Sequence, residues 1–561
     1  MVSIIVNGID VSVPEGSTVM QAAAAAGFTI PSLCSHPDLK VKENCKVCVV
    51  DINGEIKLSC SEAAAPGMVI KTMTPAVLEA KRESLKKILE LHPRDCLNCV
   101  RNLNCELQAL AETLIIRSSD SKPLSLVKDT STPSLVRDPS KCIACLRCVE
   151  VCNDIQTVGA LEVKDVIPQT VDGKPLIETK CVMCGQCALA CPVGAIVENE
   201  QIDEFIAAVA DPDKVVITQI APAVRVAEEV GIDTGSLDML KFVSMLKQIG
   251  FDYVFHTNFT ADLTILEEGN ELLQRLKEGG VLPMLTSCSP GWINFIETFY
   301  PDQLDHLSTC KSPQQMFGPL AKTYWAEKMG IDPAKIYSVS IMPCTAKKFE
   351  AARLEMNASG YRDVDLVLTT REVGKLFRMT PWDVAKVGPS NFDSLLGAYT
   401  GAGVIFGASG GVMEAALRTV YEVVTGKTLE DVNLTMVRGF DGMKEAEVDL
   451  DGTKVKVAVA NSLGCARKIM DDIKAGTSPY HFIEVMCCPG GCIGGGGQPI
   501  PSTIDKRKER IAAIYAEDAG LPLRKSHENP EVKLLYDDFL KEPLGHKSHE
   551  LLHTHYAATN K

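Results

Sequence analysis

The sequence predicts a multidomain protein of mixed α/β and α+β class, on three observations. Apolar residues alternate along the first 75 positions as they do in a small half-buried sheet. Cysteines crowd into tight groups between positions 34 and 191 and then thin out. From about position 205 short apolar runs alternate with helix-length stretches, the pattern of a layered domain around a mostly parallel sheet.

With 561 residues the chain has room for several domains and a large core. Its 46% hydrophobic and 23% charged residues are ordinary for a globular protein. The 22 cysteines are not, and their C-x-x-C grouping in a long chain favours metal sites over disulfides. Met1 to Val6 lacks a basic, cleavable leader, and no run of 18 apolar residues occurs, so neither a signal peptide nor a membrane span is expected. A reducing compartment, the cytoplasm, follows from this reading. A formal net charge of −15 argues against nucleic acid as a partner.

In the first domain, 1–75, Val2 to Val6 and Ile9 to Val13 flank the hairpin signal Asn7-Gly8. Ser17 can cap a helix running through Ala25, which Gly27 stops. Cys34, Cys45, Cys48 and Cys60 follow as C-x10-C-x2-C-x11-C, the fourth beyond the turn Asn53-Gly54. The set resembles that of a plant-type 2Fe–2S ferredoxin of β-grasp fold, with a longer first gap; structural zinc is the alternative. The second domain, 76–134, reads as helical from Pro75 and Ala76 to about position 130. It offers His92, Cys96, Cys99 and Cys105, an N and S set that serves zinc or iron–sulfur equally well. The third, 135–204, is an internal repeat. Cys142-x2-Cys145-x2-Cys148-x3-Cys152 is matched by Cys181-x2-Cys184-x2-Cys187-x3-Cys191-Pro192. This is the two-cluster ferredoxin pattern, in which each fourth cysteine serves the other cluster. Cys191 therefore joins Cys142, Cys145 and Cys148, and Cys152 joins Cys181, Cys184 and Cys187; Asn153 stands where proline is usual.

The last domain, 205–561, carries strand candidates at Val215 to Thr218, Tyr253 to Phe255, Val364 to Leu368 and Val455 to Val459. Helices are expected at Ser236 to Ile249 and Leu263 to Glu278. The glycines at 401–403 and 407–411 do not form a dinucleotide fingerprint and read as close packing. Three apolar runs end in cysteine: Pro283 to Cys288, then Ser289-Pro290-Gly291-Trp292; Ser338 to Cys344, then Thr345 to Glu350; and Phe482 to Cys488, then the loop Pro489 to Gly497. Thiols at three strand ends suggest a buried cluster on the carboxyl edge of one sheet, with glycines letting backbone N–H groups reach a bulky anion.

These three segments resemble the signature loops of the FeFe (iron-only) hydrogenases, T-S-C-C-P-x-W, M-P-C-x-x-K-x-x-E and E-x-M-x-C-x-G-G-C-x-x-G-G-G, in the expected order. The resemblance spans essentially the whole chain and implies reversible 2H⁺ + 2e⁻ ⇌ H2. It implies an H-cluster: a 4Fe–4S cubane joined to a two-iron unit bearing CO, CN and a dithiolate. Around it would stand one 2Fe–2S and three 4Fe–4S accessory clusters, the His92 set included. Cys288, Cys344, Cys488 and Cys492 form the cubane set, with Cys492 as the bridge. Lys347 faces one cyanide, and Ala221 and Pro222 the other, with Gly490 and Gly491 lining the cluster loop. Met342, Met486 and Gln314 pack near the diatomic ligands. The proton route is Glu271, Ser308 and Glu268, with Arg275 near its mouth. Cys310, Cys465 and Cys487 are left over and read as buried packing.

Ser289 departs from the family pattern, which has a second cysteine there. In strict register Cys288 is the proton relay, and Ser289, or Cys310, must complete the cubane. In a local shift Cys288 becomes the ligand and Ser289 lies near the amine of the dithiolate. The shift is the reading preferred from sequence, because a cubane iron needs thiolate more than a relay needs a thiol. The implied partners are a ferredoxin or similar carrier, an NADH-oxidising subunit and hydrogenase maturation proteins. The rival readings are an electron-wire subunit of an NADH dehydrogenase, which would have no use for the Cys288, Cys344, Cys488 and Cys492 loops, and a non-catalytic hydrogenase relative acting as redox sensor or iron–sulfur scaffold.

Overall fold

Strands Val2–Val6 and Ile9–Val13 pair antiparallel around Asn7 and Gly8. Both turn residues are left-handed, φ 48° and 85°, which the two-residue hairpin requires. In this computed structural model, which describes residues 1–117, 121–226, 238–379, 383–440, 442–450 and 452–559, the hairpin edges a five-stranded mixed sheet. Val69–Lys71, Val49–Ile52 and Glu55–Leu58 complete it. The helix Val19–Ala25 lies against it, capped by Thr18 and not by Ser17. Thr18 wins because Gln21, three residues on, reaches back to its N–H and closes a capping box.

The helical second unit is shorter than its sequence suggests. Pro75–Leu91 and Glu106–Thr113 are helices, but the described residues from 114 to 130 carry none. The repeat in the third unit shows in the backbone. Ala144 and Leu146 in one half, and Met183 and Gly185 in the other, take left-handed φ between the matching cysteines. Each loop thus curls around its own sulfurs: Ala144 N–H points at Cys142 Sγ and Met183 N–H at Cys181 Sγ, both at 3.4 Å.

The large domain holds two four-stranded sheets rather than one. Tyr253–His256, Val215–Ile220, Ile336–Met342 and Leu366–Thr369 are parallel in that order. The second sheet runs Met284–Leu285, Phe482–Met486, Thr453–Asn461 and Met443–Leu450, its last pair antiparallel. The expected helix at 263 begins earlier, at Thr257, and runs to Glu278. The expected helix at 236 is seen as Met239–Gln248 behind an Asp238 cap, positions 236 and 237 lying outside the described residues. The glycines at 401–411 pack closely: a Cβ on Gly403 would lie 2.6 Å from the Asn258 carbonyl, and one on Gly411 1.7 Å from that of Ile405.

The hydrophobic cores ignore the domain boundaries. One core joins Leu135, Val158, Val182 and Ile196 of the cysteine repeat to Trp292, Phe295, Ile483 and Val485 of the large domain. Another joins Leu33 and Val47 to Leu85, Leu107 and Val193. Burial that continuous fixes the relative positions of the cysteine loops as firmly as a single core would.

Candidate active site

The three cysteine loops converge although they leave different sheets. Cys288 follows Met284–Leu285, and Cys488 and Cys492 follow Phe482–Met486 in the second sheet; Cys344 follows Ile336–Met342 in the first. Between the carboxyl ends of both sheets lies a cavity. Cys288, Ser289, Cys344, Cys487, Cys488, Cys492 and Cys184 line it, together with Ala221, Pro222, Gln314, Met342, Lys347, Met486 and Gly491.

Gly490 is not in that wall. Its N–H goes to Asn461 Oδ1 at 2.6 Å, and a Cβ would strike Phe440. The expectation that the glycine loop turns its N–H groups on an anion is corrected in the same way. The N–H groups of Gly491, Gly494, Gly495 and Gly497 all go to backbone carbonyls. The glycines instead permit contact between chains: a Cβ would come within 2.1 Å of the Pro343 carbonyl at Gly495 and 2.3 Å of the Cys184 carbonyl at Gly496. Ala221 N–H is likewise taken by the Ile341 carbonyl at 3.0 Å, and Pro222 has none, so this pair supplies wall and not donors.

Lys347 is buried at the cavity wall and its three donors are all placed: on Ser312 Oγ (2.7 Å), Glu350 Oε2 (2.9 Å) and the Cys288 carbonyl (3.2 Å). Glu350 also accepts from Ser312 and from Gln314 Nε2, leaving Gln314 Oε1 unpartnered. Glu350 was legible in the M-P-C-x-x-K-x-x-E motif, since positions three apart share a helix face. Glu484 was not assigned a role from sequence. It is fully buried and accepts the N–H groups of Gly410 and Met413 at 2.7 Å each, holding the start of helix Gly411–Thr425. Burial raises its carboxyl to about 7.

Behind Cys288 runs a file of buried acids on the helix Thr257–Glu278. Glu268 is 2% exposed, and neither of its oxygens makes a full hydrogen bond among the described residues, with Ser308 and the Ser287 backbone nearest to it. Burial first, and the charge of Glu271 second, lift its carboxyl to about 8. Glu271 accepts from Ser308 Oγ at 2.8 Å, and its other oxygen pairs with Arg275 at 2.6 Å. Arg275 reaches the carbonyls of Val281, Asp305 and Leu307 toward the surface. Cys310 and His553 stand beside Glu271 through Ser308 and Thr309.

Opposite this file lie the other cysteine groups. Cys152, Cys181, Cys184 and Cys187 line one small cavity, and Cys142, Cys145, Cys148 and Cys191 another. Cys184 belongs to the first of these and to the large cavity as well. His92, Cys96 and Cys105 line a further hollow, with Cys99 close enough to act on the Cys105 thiol. Burial keeps His92 neutral, and its Nδ1 is unpartnered, the state a metal-binding imidazole needs. In the first unit Cys34 and Cys45 sulfurs are 3.4 Å apart, and Cys60 is raised to about 12 by burial and by Cys48.

The residues suit iron–sulfur groups by their donor chemistry. None of the 22 cysteines is in a disulfide, and the cysteine groups of the repeat domain and the large domain enclose space instead of collapsing on themselves. Around the large cavity Cys344 is pushed up by burial and then by Cys488 and Cys492, and Cys492 reaches about 12. Bringing several thiolates together there is unfavourable without cations between them, which is the condition a cluster meets.

Residues 214–496 match the family described as iron only hydrogenase large subunit, C-terminal domain, and 504–559 match the iron hydrogenase small subunit. Residues 1–75 match a 2Fe-2S iron-sulfur cluster binding domain. Residues 81–120 match the NADH-ubiquinone oxidoreductase-G iron-sulfur binding region, and 135–195 a 4Fe-4S dicluster domain. The chain belongs to the FeFe hydrogenases: it is an iron hydrogenase with iron–sulfur domains ahead of its catalytic domain. It is 47% identical to the NADP-reducing hydrogenase subunit HndD of Solidesulfovibrio fructosivorans, over 99% of both chains. It is 39% identical to iron hydrogenase 1 of Clostridium pasteurianum, over 99% of this chain and all of the other. Its fold matches a variant of the apo FeFe-hydrogenase HydA1 of Chlamydomonas reinhardtii, with a TM-score of 0.57 and 43% identity over 64% of this chain and 98% of that one.

Proposed function

We propose that the chain catalyses reversible 2H⁺ + 2e⁻ ⇌ H2 at an H-cluster in the large cavity, fed by one 2Fe–2S and three 4Fe–4S clusters. The observation that carries this is one cavity with sulfurs from three loops, a buried acid file on one flank and a cysteine shared with the repeat domain on the other.

Cys344, Cys488 and Cys492 would hold the cubane and Cys492 the link to the iron pair. When bound, the H-cluster supplies the open metal position and the electrons for the H–H bond. The chain's own residues do the rest. Met342, Met486 and Pro222 keep water from the cavity, where fixed charges act more strongly. Lys347, oriented by Ser312 and Glu350, keeps a positive charge on the wall facing anionic ligands. Glu268 is protonated below about pH 8, so near neutrality it can pass a proton inward and be refilled from Glu271 through Ser308. Arg275 orients Glu271 at the outer end of that route.

Electrons would cross from the surface through the Cys34, His92 and paired ferredoxin groups, the last step leaving the cluster on Cys184. With the S. fructosivorans relative named as a subunit of an NADP-reducing hydrogenase, an NAD(P)(H)-linked partner subunit fits beside a ferredoxin donor. Maturation proteins would build the iron pair. Free thiols throughout suit the cytoplasm, and no described helix is long and apolar enough to cross a membrane. Anaerobically matured protein should evolve H2 from a reduced carrier and show infrared CO and CN stretches. Absence of both, with all accessory clusters present, would refute the reading.

A further inference from the structure

Beyond the three cubane cysteines, Cys288 and the repeat-domain Cys184, the cavity holds one more thiol, and its surroundings give it a task. Cys487 precedes Cys488 at the end of strand Phe482–Met486 and lines the cavity with it. It is 4% exposed, and its thiol is within hydrogen-bonding reach of Cys184 and Cys488. It is also an immediate neighbour of Ser289, the position where this chain lacks the second sulfur of the family pattern. Cys487 N–H points at Ser289 Oγ across 3.4 Å, and a Cβ on Gly291 would lie 2.6 Å from Cys487 Sγ. The sulfur missing from residue 289 is therefore present about one side chain away, on the facing loop. Gln156 of the repeat domain fixes this loop, its Nε2 donating to the Cys487 carbonyl at 3.0 Å and lying 3.7 Å from Sγ.

Cys288 has different company. After burial, the groups acting most on its thiol are Glu268, Cys492 and Lys347. It lines the cavity with Cys492, Lys347 donates to its carbonyl at 3.2 Å, and Glu268 is near enough to act on its thiol, which suits a proton donor. A serine hydroxyl is a poor substitute for thiolate on a cubane iron, since such clusters are held by cysteine sulfur.

We propose that Cys487 is the fourth ligand of the cubane, with Cys344, Cys488 and Cys492, and that Cys288 keeps its thiol free to carry protons between Glu268 and the iron pair. This rests on the H-cluster reading above, and replaces the local shift preferred from sequence. Binding exchanges the Cys487 thiol proton for a sulfur–iron bond, with no change of oxidation state.

The test uses full-length protein produced without maturation proteins, so that the 2Fe–2S and 4Fe–4S clusters form but the iron pair is not built. Iron and sulfide are counted, and Mössbauer and EPR spectra are recorded on the reduced protein. Cys487→Ala should lose ~4 irons per chain and the cubane signal, whereas Cys288→Ala should keep both. The double variant Ser289→Cys/Cys487→Ala should regain them, which separates loss of a ligand from misfolding. If Cys487→Ala retains its iron, or changes only the signal of the cluster on Cys184, the proposal is overturned. The same holds if Cys288→Ala is the variant that loses the cubane. If the unsubstituted chain shows only the accessory clusters, the H-cluster reading fails instead, with this assignment.

Discussion

The two flanks of the central cavity are built from different materials. On one flank the helix Thr257–Glu278 buries Glu267, Glu268 and Glu271. On the other, Cys184, Cys487 and Gln156 bring the repeat domain into contact with the cluster loop, with no acid among them. The difference fits the proton route proposed for one flank and the electron route proposed for the other. A proton moves only between groups that can take and release it, so its route needs carboxyls or thiols with affinities near the working pH. An electron needs proximity and rigid placement, which close backbone packing supplies without any titratable group.

Removing the proton function should have the largest effect. Glu268→Gln should cut H2 turnover by ~10²–10⁴-fold, while the reduced accessory clusters keep their EPR signals. An equal loss in cluster reduction would erase the distinction between the flanks. The mirror experiment damages the electron flank alone. Gly496→Ala places a Cβ 2.3 Å from the Cys184 carbonyl and 2.7 Å from Gly185 Cα, both backbone. A cost of about 1–3 kcal/mol is expected as a lower Tm, with slowed reduction of the buried cluster by an external donor.

A smaller effect tests the burial of Glu268 itself. Its carboxyl is raised from the ordinary 4.5 to about 8, so the folded chain holds this proton where the unfolded chain has released it. Its contribution to stability is complete below about pH 4.5 and declines as pH rises through 8. Between about pH 5 and 8 the Tm of Glu268→Gln should therefore fall less with pH than that of the parent chain. The same substitution should remove the activity limb near pH 8. The smallest effect lies at the surface. Lys40 and Asp154 tie the first unit to the repeat domain through an ion pair, but their side chains are 74% and 48% exposed. Lys40→Ala should leave Tm and turnover unchanged at physiological salt, because exposed pairs are screened and cost side-chain freedom.

The grouping of the accessory cysteines was legible in the sequence because they sit on short contiguous loops. Three-residue spacing places Cys142, Cys145 and Cys148 around one centre whatever the rest of the chain does, and the left-handed residues between them follow from that curl. The helix of acids was legible too, since Glu268 and Glu271 share a face by spacing alone. Where local signals competed, the sequence misled: Thr18 displaced Ser17 through Gln21, and the helix at 263 began at Thr257.

Sequence by itself determined which residue types were available: the sulfurs, the acids, Lys347 and the glycines, together with the family they define. Tertiary structure decided their company. Two sheets, not one, aim their strand ends at a single cavity, and the glycine loop spends N–H groups on carbonyls of its own and neighbouring loops, which its glycines let approach closely. Cys487 read as core packing until the fold set it beside Ser289, 198 positions away along the chain. Spacing in sequence governs geometry only within a helix, a strand or a tight loop; across longer separations packing alone sets which side chains meet.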